Sequence, residues 1–114
     1  MKIFKENKGR RKLIWKDVEL ADSLLKQMKG IMFRKRLKRP VLFIFGGEQS
    51  ISIHSFFCIP FDIIYINNFG KIIEINENVN SDCVLPKTTC KYIIECNLGE
   101  VKRKKLKKGD LLSF

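Results

Sequence analysis

The sequence predicts a mainly β protein, built as one compact domain with a sandwich or barrel architecture. Short apolar runs recur along the chain, separated by glycine, proline or asparagine, and this pattern is typical of many short strands. At 114 residues, of which 45% are hydrophobic, the chain is large enough to bury a core without disulfide or metal support. One short helix is expected over Asp22–Lys29, near the N-terminus.

The N-terminal third combines a basic segment, a strand and this helix. Residues 1–10 are interpreted as a basic tail in front of a single β-rich domain over residues 11–114. The run LIWKDV, Leu13–Val18, is typical of a strand. Asp22 can cap the N-terminus of the helix that follows, and Gly30 suits the left-handed residue after its last turn.

The remaining strands are predicted from apolar runs and from the turns between them. The clearest is a hairpin, since Asn67-Asn68-Phe69-Gly70 is a turn sequence in which Gly70 can take a positive φ. Pro60 interrupts the preceding run, because proline lacks the N–H that a central strand must donate. The predicted strands are Val41–Phe45, Ile51–Cys58, Asp62–Ile66, Lys71–Ile75, Cys90–Cys96 and the final LLSF, with a long polar excursion over Asn76–Thr89.

Positive charge is concentrated at both ends of the chain. Residues 1–39 carry 14 Lys or Arg against 4 Asp or Glu, and residues 102–114 carry 6 against 1, whereas residues 40–101 carry 3 against 7. Basic ends can attract a polyanion such as nucleic acid. The alternative is a solvated lysine-rich surface, which is favoured because no nucleic-acid-binding motif accompanies the charge. If the fold brings the ends together, they form one cationic patch.

Cysteine spacing and hydropathy argue against several classes of protein. Cys58, Cys83, Cys90 and Cys96 form no CxxC pair, and the single His offers no ligand pair, so a structural zinc site is not expected. In a chain without an export signal we expect four reduced thiols, with Cys58 and Cys96 buried. No apolar run reaches the ~20 residues of a bilayer-spanning helix. We therefore predict a cytoplasmic protein without a membrane segment, metal or other cofactor.

Four polar residues interrupt apolar stretches and are the candidate binding residues: Arg34, His54, Asp62 and Glu95. A charged group near a core must be paired or hydrogen-bonded. We therefore expect Arg34 to pair with Asp62 or Glu95 and to hold the turn after the helix against the sheet. The alternative is a shallow groove in which Arg34 binds an anion while His54 and Asp62 handle protons. The structural interpretation is favoured, since the chain holds a single His.

The residues needed for catalysis are too few to favour an enzyme, and no catalytic residue is assigned. On one regular strand His54 and Cys58 would lie ~13 Å apart, which is too far for a Cys–His dyad. Phe56, Phe57 and Phe61 are expected in the core rather than in a base-stacking surface, because basic residues do not accompany them.

Several motifs, taken in order, resemble a known family of small prokaryotic proteins. ADSLLKQMKGIMFRKRL is similar to an opening helix and Gly-x-Met-x-Arg turn, with Gly30, Met32 and Arg34 at the matching places. HSFFCIPFDIIYI carries a Pro-x-Asp as Pro60 and Asp62, and YIIECNLGE and KKGD resemble a closing strand and turn. Together they resemble the domain-of-unknown-function family 192. The chain departs from this family at FFCIP, where many relatives carry Met-Lys-Asn-Thr before the proline. The resemblance implies a small, predominantly β fold and no catalytic assignment.

Three functions are compatible with these observations. The first is a non-enzymatic binding module with a shallow polar groove near Arg34 and Asp62. The second is a nucleic-acid-associated protein that binds phosphates through its basic ends. The third and least favoured is a small enzyme of unknown class. One contiguous basic face would favour the second function, whereas scattered charges would favour the first.

Overall fold

The structure, a computed structural model, is mainly β, as predicted. It describes residues 1–21, 38–49, 53–54, 61–79, 83–84 and 89–114. The strands among them are β1 (Ile3–Asn7), β2 (Arg10–Trp15), β3 (Glu19–Ala21), β4 (Val41–Gln49), β5 (Ile53–His54), β6 (Phe61–Ile66), β7 (Ile72–Val79), β8 (Cys83–Val84), β9 (Cys90–Asn97) and β10 (Leu111–Ser113). A short helix, α1, covers Glu100–Arg103.

Two sheets carry most of these strands. The smaller has the strand order β10-β1-β2, and the larger has the order β3-β4-β9-β6-β7, while β5 pairs with β8. Strands β3 and β4 are parallel, and the other pairs are antiparallel. Strand β9 is the middle strand of the larger sheet and lies between β4 and β6.

The five-stranded sheet is buried on both faces. Side chains alternate along a strand, so Ile64 and Ile66 of β6 share the cluster of Ile3 and Trp15 from the smaller sheet, whereas Tyr65 belongs to the cluster on the opposite face. All six residues of β6 are buried. A polar residue in this strand must therefore find its hydrogen-bond partners inside the protein.

The predicted hairpin between β6 and β7 is confirmed, and its turn contacts the smaller sheet. The side-chain oxygen of Asn67 accepts the N–H groups of Phe69 at 2.9 Å and of Lys71 at 3.0 Å. Gly70 has φ 84, and its carbonyl accepts the N–H of Leu112 at 2.8 Å. A Cβ atom at position 70 would collide with the carbonyl oxygen of Leu112, so this close approach requires glycine.

The N-terminus differs from the prediction of a basic tail over residues 1–10. Residues Ile3–Asn7 form the central strand of the three-stranded sheet, and the side chain of Ile3 is completely buried. The physical reason is the turn at Lys8 and Gly9, where φ is 50 and 78. Two successive positive φ values make a tight two-residue hairpin turn, which pairs β1 with β2. The strand expected at Leu13–Val18 accordingly begins earlier and ends at Trp15.

The helix that the structure describes lies near the C-terminus rather than the N-terminus. The helix expected at Asp22–Lys29 lies outside the described residues, and of the strand expected at Ile51–Cys58 only β5 lies within them. Helix α1 follows Gly99, whose φ of 88 turns the chain out of β9. In the part of the chain that the structure describes, no helix is long and apolar enough to cross a membrane.

Candidate functional site

Asp62 is the predicted site residue whose surroundings are best defined. It lies on β6, and its side chain is completely buried. Its Oδ1 atom accepts the backbone N–H of Asn78 at 3.0 Å, and its Oδ2 atom accepts those of Gly99 at 3.0 Å and Val101 at 3.3 Å. One carboxylate therefore joins three segments of the chain: β6, the end of β7 and the start of α1.

Backbone geometry explains why these three N–H groups meet one carboxylate. Asn78 has a positive φ of 56 in a part of β7 where the register against β6 is irregular. Gly99 precedes α1 and has no side chain with which to cap it. Because the first N–H groups of a helix lack partners within the helix, Asp62 provides from β6 the acceptor that Gly99 cannot.

These contacts give Asp62 a structural role. A buried carboxylate is costly unless its oxygens are hydrogen-bonded, and N–H groups bound to a charged acceptor are among the stronger hydrogen bonds in proteins. Both oxygens of Asp62 accept such bonds. The proton-handling role considered for Asp62 therefore gains no support from its surroundings.

Glu95 lies on the opposite face of the large sheet from Asp62. In the pairing of β6 with β9, Asp62 is opposite Cys96 and Ile63 is opposite Glu95. Successive residues of a strand point to opposite faces. Glu95 is buried, with 4% of its surface exposed, but the structure does not bring its carboxylate and that of Asp62 into one site.

Of the other two predicted site residues, Arg34 and His54, only His54 lies within the described part of the chain. Arg34 lies outside the described residues, so its predicted pairing with Asp62 or Glu95 stays a prediction. The backbone of His54 pairs with that of Cys83 where β5 meets β8. The proposed cooperation of His54 with Asp62 also stays a prediction.

A buried tyrosine lies on the same face of the sheet as Glu95. The hydroxyl of Tyr65 accepts a hydrogen bond from the side-chain amide of Asn76 at 3.0 Å, and this amide also donates to Glu74 at 3.5 Å. Burial raises the pKa of Tyr65 above its ordinary value. Tyr65 is therefore neutral at physiological pH and serves as a hydrogen-bonded core residue.

Two of the described cysteines, Cys90 and Cys96, are buried and form no disulfide bond. The burial predicted for Cys96 is confirmed, whereas Cys58 lies outside the described residues. Burial, and secondarily the neighbouring Asp62 carboxylate, raises the pKa of Cys96. A neutral thiol is a poor nucleophile and metal ligand. Among the described residues, no three His, Cys, Asp or Glu side chains form a group that could hold a metal ion.

The two basic ends of the chain meet at the three-stranded sheet. The Nζ atom of Lys5 donates to the carbonyl of Lys105 at 3.3 Å and forms an ion pair with Asp110 at 3.2 Å. Lys12 lies directly opposite Lys5 on the neighbouring strand. We call the exposed cations of these two segments the basic surface, which consists of Lys8, Arg10, Arg11, Lys12, Lys102, Arg103, Lys105, Lys107 and Lys108.

Nearby acidic groups neutralise only part of the basic surface. Asp110 is engaged by Lys5 and by the backbone N–H of Lys107 at 2.9 Å. Glu6 lies 3.7 Å from the Nε atom of Arg11, and Glu100 pairs with Arg103. Like charges held close together repel one another, and binding of an anion would relieve that repulsion.

Two aromatic side chains border the basic surface, and neither was predicted as a binding residue. The guanidinium carbon of Arg11 lies 4.1 Å from the centroid of the Phe4 ring. Phe69 is 85% exposed in the turn before Lys71. The sequence signal for the contact of Phe4 with Arg11 is the turn at Lys8-Gly9, because that turn places the two residues on neighbouring strands. Phe61, by contrast, is buried as predicted.

Comparison with known proteins identifies the family. The model of the DUF192 family, described as "Uncharacterized ACR, COG1430", matches residues 4–114. The chain belongs to the DUF192 family. A UPF0127 protein of Thermococcus gammatolerans is 28% identical over 98% of this chain and 74% of its own length. A UPF0127 protein of Pyrococcus horikoshii is 30% identical over 91% of this chain and 93% of its own length.

Solved structures with the same fold include two bacterial proteins. One is from Sinorhizobium meliloti 1021, with a TM-score of 0.84, 26% identity, and coverage of 98% of this chain and 91% of the other. The second is a protein of unknown function from Novosphingobium aromaticivorans DSM 12444, with a TM-score of 0.83 and 23% identity over 99% of this chain and 84% of the other. The second likeness concerns the fold alone.

Proposed function

We propose that this DUF192 protein is a non-enzymatic nucleic-acid-binding protein that contacts phosphates through the basic surface. The observation that carries the proposal is the contact of Lys5 with Lys105 and Asp110. This contact joins two segments that are far apart in sequence but equally basic. We infer that exposed cations of both segments act on the same ligand rather than as two separate solvated ends.

The chemistry of these side chains favours phosphates over bases as the groups contacted. Lys and Arg on a sheet and its turns can neutralise phosphates, and such contacts do not discriminate one base sequence from another. Binding of this kind releases counterions and weakens as the salt concentration rises. We therefore expect sequence-independent, salt-sensitive binding.

One structural relative supports this class of ligand. The Sinorhizobium meliloti protein is described as a candidate transcription regulator. That description concerns the relative, and its bearing on this chain is through the shared fold.

The scaffold we propose is a β-sandwich, because one core cluster contains residues of both the three-stranded and the five-stranded sheet.

The groove near Arg34 and Asp62 is the weaker proposal for a binding site. Both carboxylate oxygens of Asp62 already accept backbone N–H groups, so a ligand there would compete with bonds that hold the fold. A small enzyme is weaker still, because the geometry gives Asp62 and Cys96 structural roles.

Charge reversal tests the proposed function. We expect Lys12→Glu and Lys108→Glu each to weaken binding of a fluorescently labelled 20-nucleotide strand at low salt by roughly fivefold or more, since each places an anion where a phosphate is bound. Lys38→Glu makes the same charge change at an exposed residue outside the basic surface, and it should weaken binding less than about twofold. Fluorescence anisotropy measures the three affinities. Equal losses for all three variants would attribute binding to net charge alone, and no binding by the parent protein at low salt would refute the proposal.

A further inference from the structure

We infer that the nucleic acid bound at the basic surface is single-stranded, and that its bases stack on Phe69 and on the Phe4–Arg11 pair. This inference rests on the proposed function, which by itself requires only contacts to phosphates. It adds the class of nucleic acid and the residues that would select it.

Phe69 is presented to solvent by a turn that its own hydrogen bonds hold in place. Its side chain is 85% exposed, more than that of any other large hydrophobic residue among those described. The Asn67 side chain accepts the N–H groups of Phe69 itself and of Lys71, and the Gly70 carbonyl accepts the N–H of Leu112. The aromatic ring therefore projects from a fixed backbone and contributes little to the core.

Basic residues lie close to the turn that carries this aromatic residue. Lys71 is exposed and pairs through its backbone with Leu111 of β10. The N–H of Gly109 donates to the carbonyl of Ile72 at 2.8 Å, which brings the turn that contains Lys107 and Lys108 against the start of β7. Phe69 thus meets the condition for a base-stacking residue that the buried Phe61 does not meet: it is exposed and lies close to basic residues.

A second aromatic and cationic pair, Phe4 with Arg11, lies on the three-stranded sheet that this turn contacts. Backbone register places Arg11, Glu6, Leu111 and Lys71 in one row across β2, β1, β10 and the start of β7. Neighbouring strands are ~4.8 Å apart, so the row spans about 14 Å. Alternation puts Phe4 on the same face as Glu6, and the guanidinium of Arg11 already lies over its ring.

This arrangement favours unpaired bases. In a duplex the base faces are stacked on one another and only phosphates and groove edges are accessible, whereas a single strand offers base faces to exposed aromatic and guanidinium groups. Leu13 and Leu111, each 45% exposed, extend the apolar part of the face between the cations. The carboxylate of Glu6 is the unfavourable element in the row, because it repels phosphates and pairs with Arg11.

Four probes separate base stacking from phosphate binding. Labelled oligothymidylate and oligouridylate of equal length present single-stranded DNA and RNA, a mixed-sequence duplex presents paired bases, and inorganic polyphosphate presents phosphates without bases. Affinities are measured by anisotropy, or by competition for polyphosphate, at one low salt concentration. The variants are Phe69→Ala, Phe69→Trp and Glu6→Gln, with Leu98→Ala as the control because Leu98 is another exposed apolar turn residue, 55% exposed.

We expect Phe69→Ala to weaken binding of one or both single strands by roughly fivefold or more and to leave polyphosphate and duplex binding within about twofold. Phe69→Trp should restore single-strand binding, Glu6→Gln should strengthen it, and Leu98→Ala should leave it unchanged. A preference between the two single strands identifies DNA or RNA as the ligand. The inference is overturned if Phe69→Ala leaves both single strands unaffected, or weakens polyphosphate equally. In either case, binding of nucleic acid by the parent protein at low salt would leave the proposed function standing, whereas no binding of any of the four probes by the parent protein would remove both.

Discussion

The surroundings of Asp62 and the basic surface show two opposite ways of treating charge in one small fold. Asp62 is a single carboxylate, completely buried, and three backbone N–H groups converge on it. The basic surface is a set of exposed cations that neighbouring carboxylates neutralise only in part. The hydrogen-bonding capacity of the Asp62 carboxylate is used within the protein, whereas the basic surface retains an excess of positive charge.

This difference separates structural charge from charge that is available to a ligand. A polar residue inside an apolar run attracts attention in the sequence, but burial forces it to use its hydrogen-bonding capacity on its own chain. Exposed lysines attract little attention because they are common at surfaces. They become informative when the fold places two basic segments side by side. The contact of Lys5 with Lys105 shows that the two ends of this chain are placed in this way.

The largest expected effect concerns the buried carboxylate. Asp62→Asn removes the charge and replaces one acceptor oxygen by a donor facing N–H groups, so we expect a loss of about 3 kcal/mol in the free energy of unfolding. Asp17→Asn is the matched control, because Asp17 pairs with Arg39 at 2.9 Å on the exposed surface and should cost less than about 1 kcal/mol. Urea denaturation measures both. Equal, small losses would mean that the hydrogen bonds of Asp62 are not important for stability.

The predicted pairing of Arg34 with Asp62 can be tested in the same experiment. If the two side chains pair, Arg34→Ala combined with Asp62→Ala should lose less stability than the sum of the single losses. Simple addition would show that the residues are independent, and Asp62 would then be explained by its three backbone partners alone.

The sequence predicted strands well where one local signal was enough. The β6–β7 hairpin followed from Asn67 to Gly70, and the buried strands β6 and β9 followed from their apolar runs. It failed at β1, because MKIFKENKGRRK is mostly polar and its turn has Lys8 where Asn or Asp is the common signal. The partners of Asp62 could not be predicted, since they are backbone groups of Asn78, Gly99 and Val101, and no side-chain pattern marks them.

A smaller effect is expected at alkaline pH. Burial raises the pKa of Cys96 above its ordinary value of 9.0 and that of Tyr65 above 10.0. Folding therefore favours the neutral forms of both side chains. The contribution of each group to the free energy of unfolding is fully present below its ordinary pKa. It is lost as the pH rises through that value, by up to about 1.4 kcal/mol per pH unit for each group. Stability should begin to fall near pH 9 and fall more steeply above pH 10.

Two variants identify which residue is responsible for each part of this loss of stability at alkaline pH. Cys96→Ala should remove the part that begins near pH 9, and Tyr65→Phe should remove the part above pH 10, when the free energy of unfolding is measured across this range. Each variant also changes packing, so the slope against pH, rather than the absolute stability, is compared with the parent protein. Slopes identical to the parent's would show that neither group titrates differently in the folded and unfolded chains.

The most direct test of the central claim, that both basic ends contact the same nucleic acid, is the salt dependence of binding. The logarithm of the association constant for one labelled single strand is measured against the logarithm of the salt concentration for the parent, Lys12→Gln, Lys108→Gln and the double variant. We predict that each single variant lowers the magnitude of the slope by roughly 0.7 and that the double variant lowers it by about twice as much. A slope that is insensitive to one of the two ends would contradict the claim, because that end would then lie outside the nucleic-acid contact.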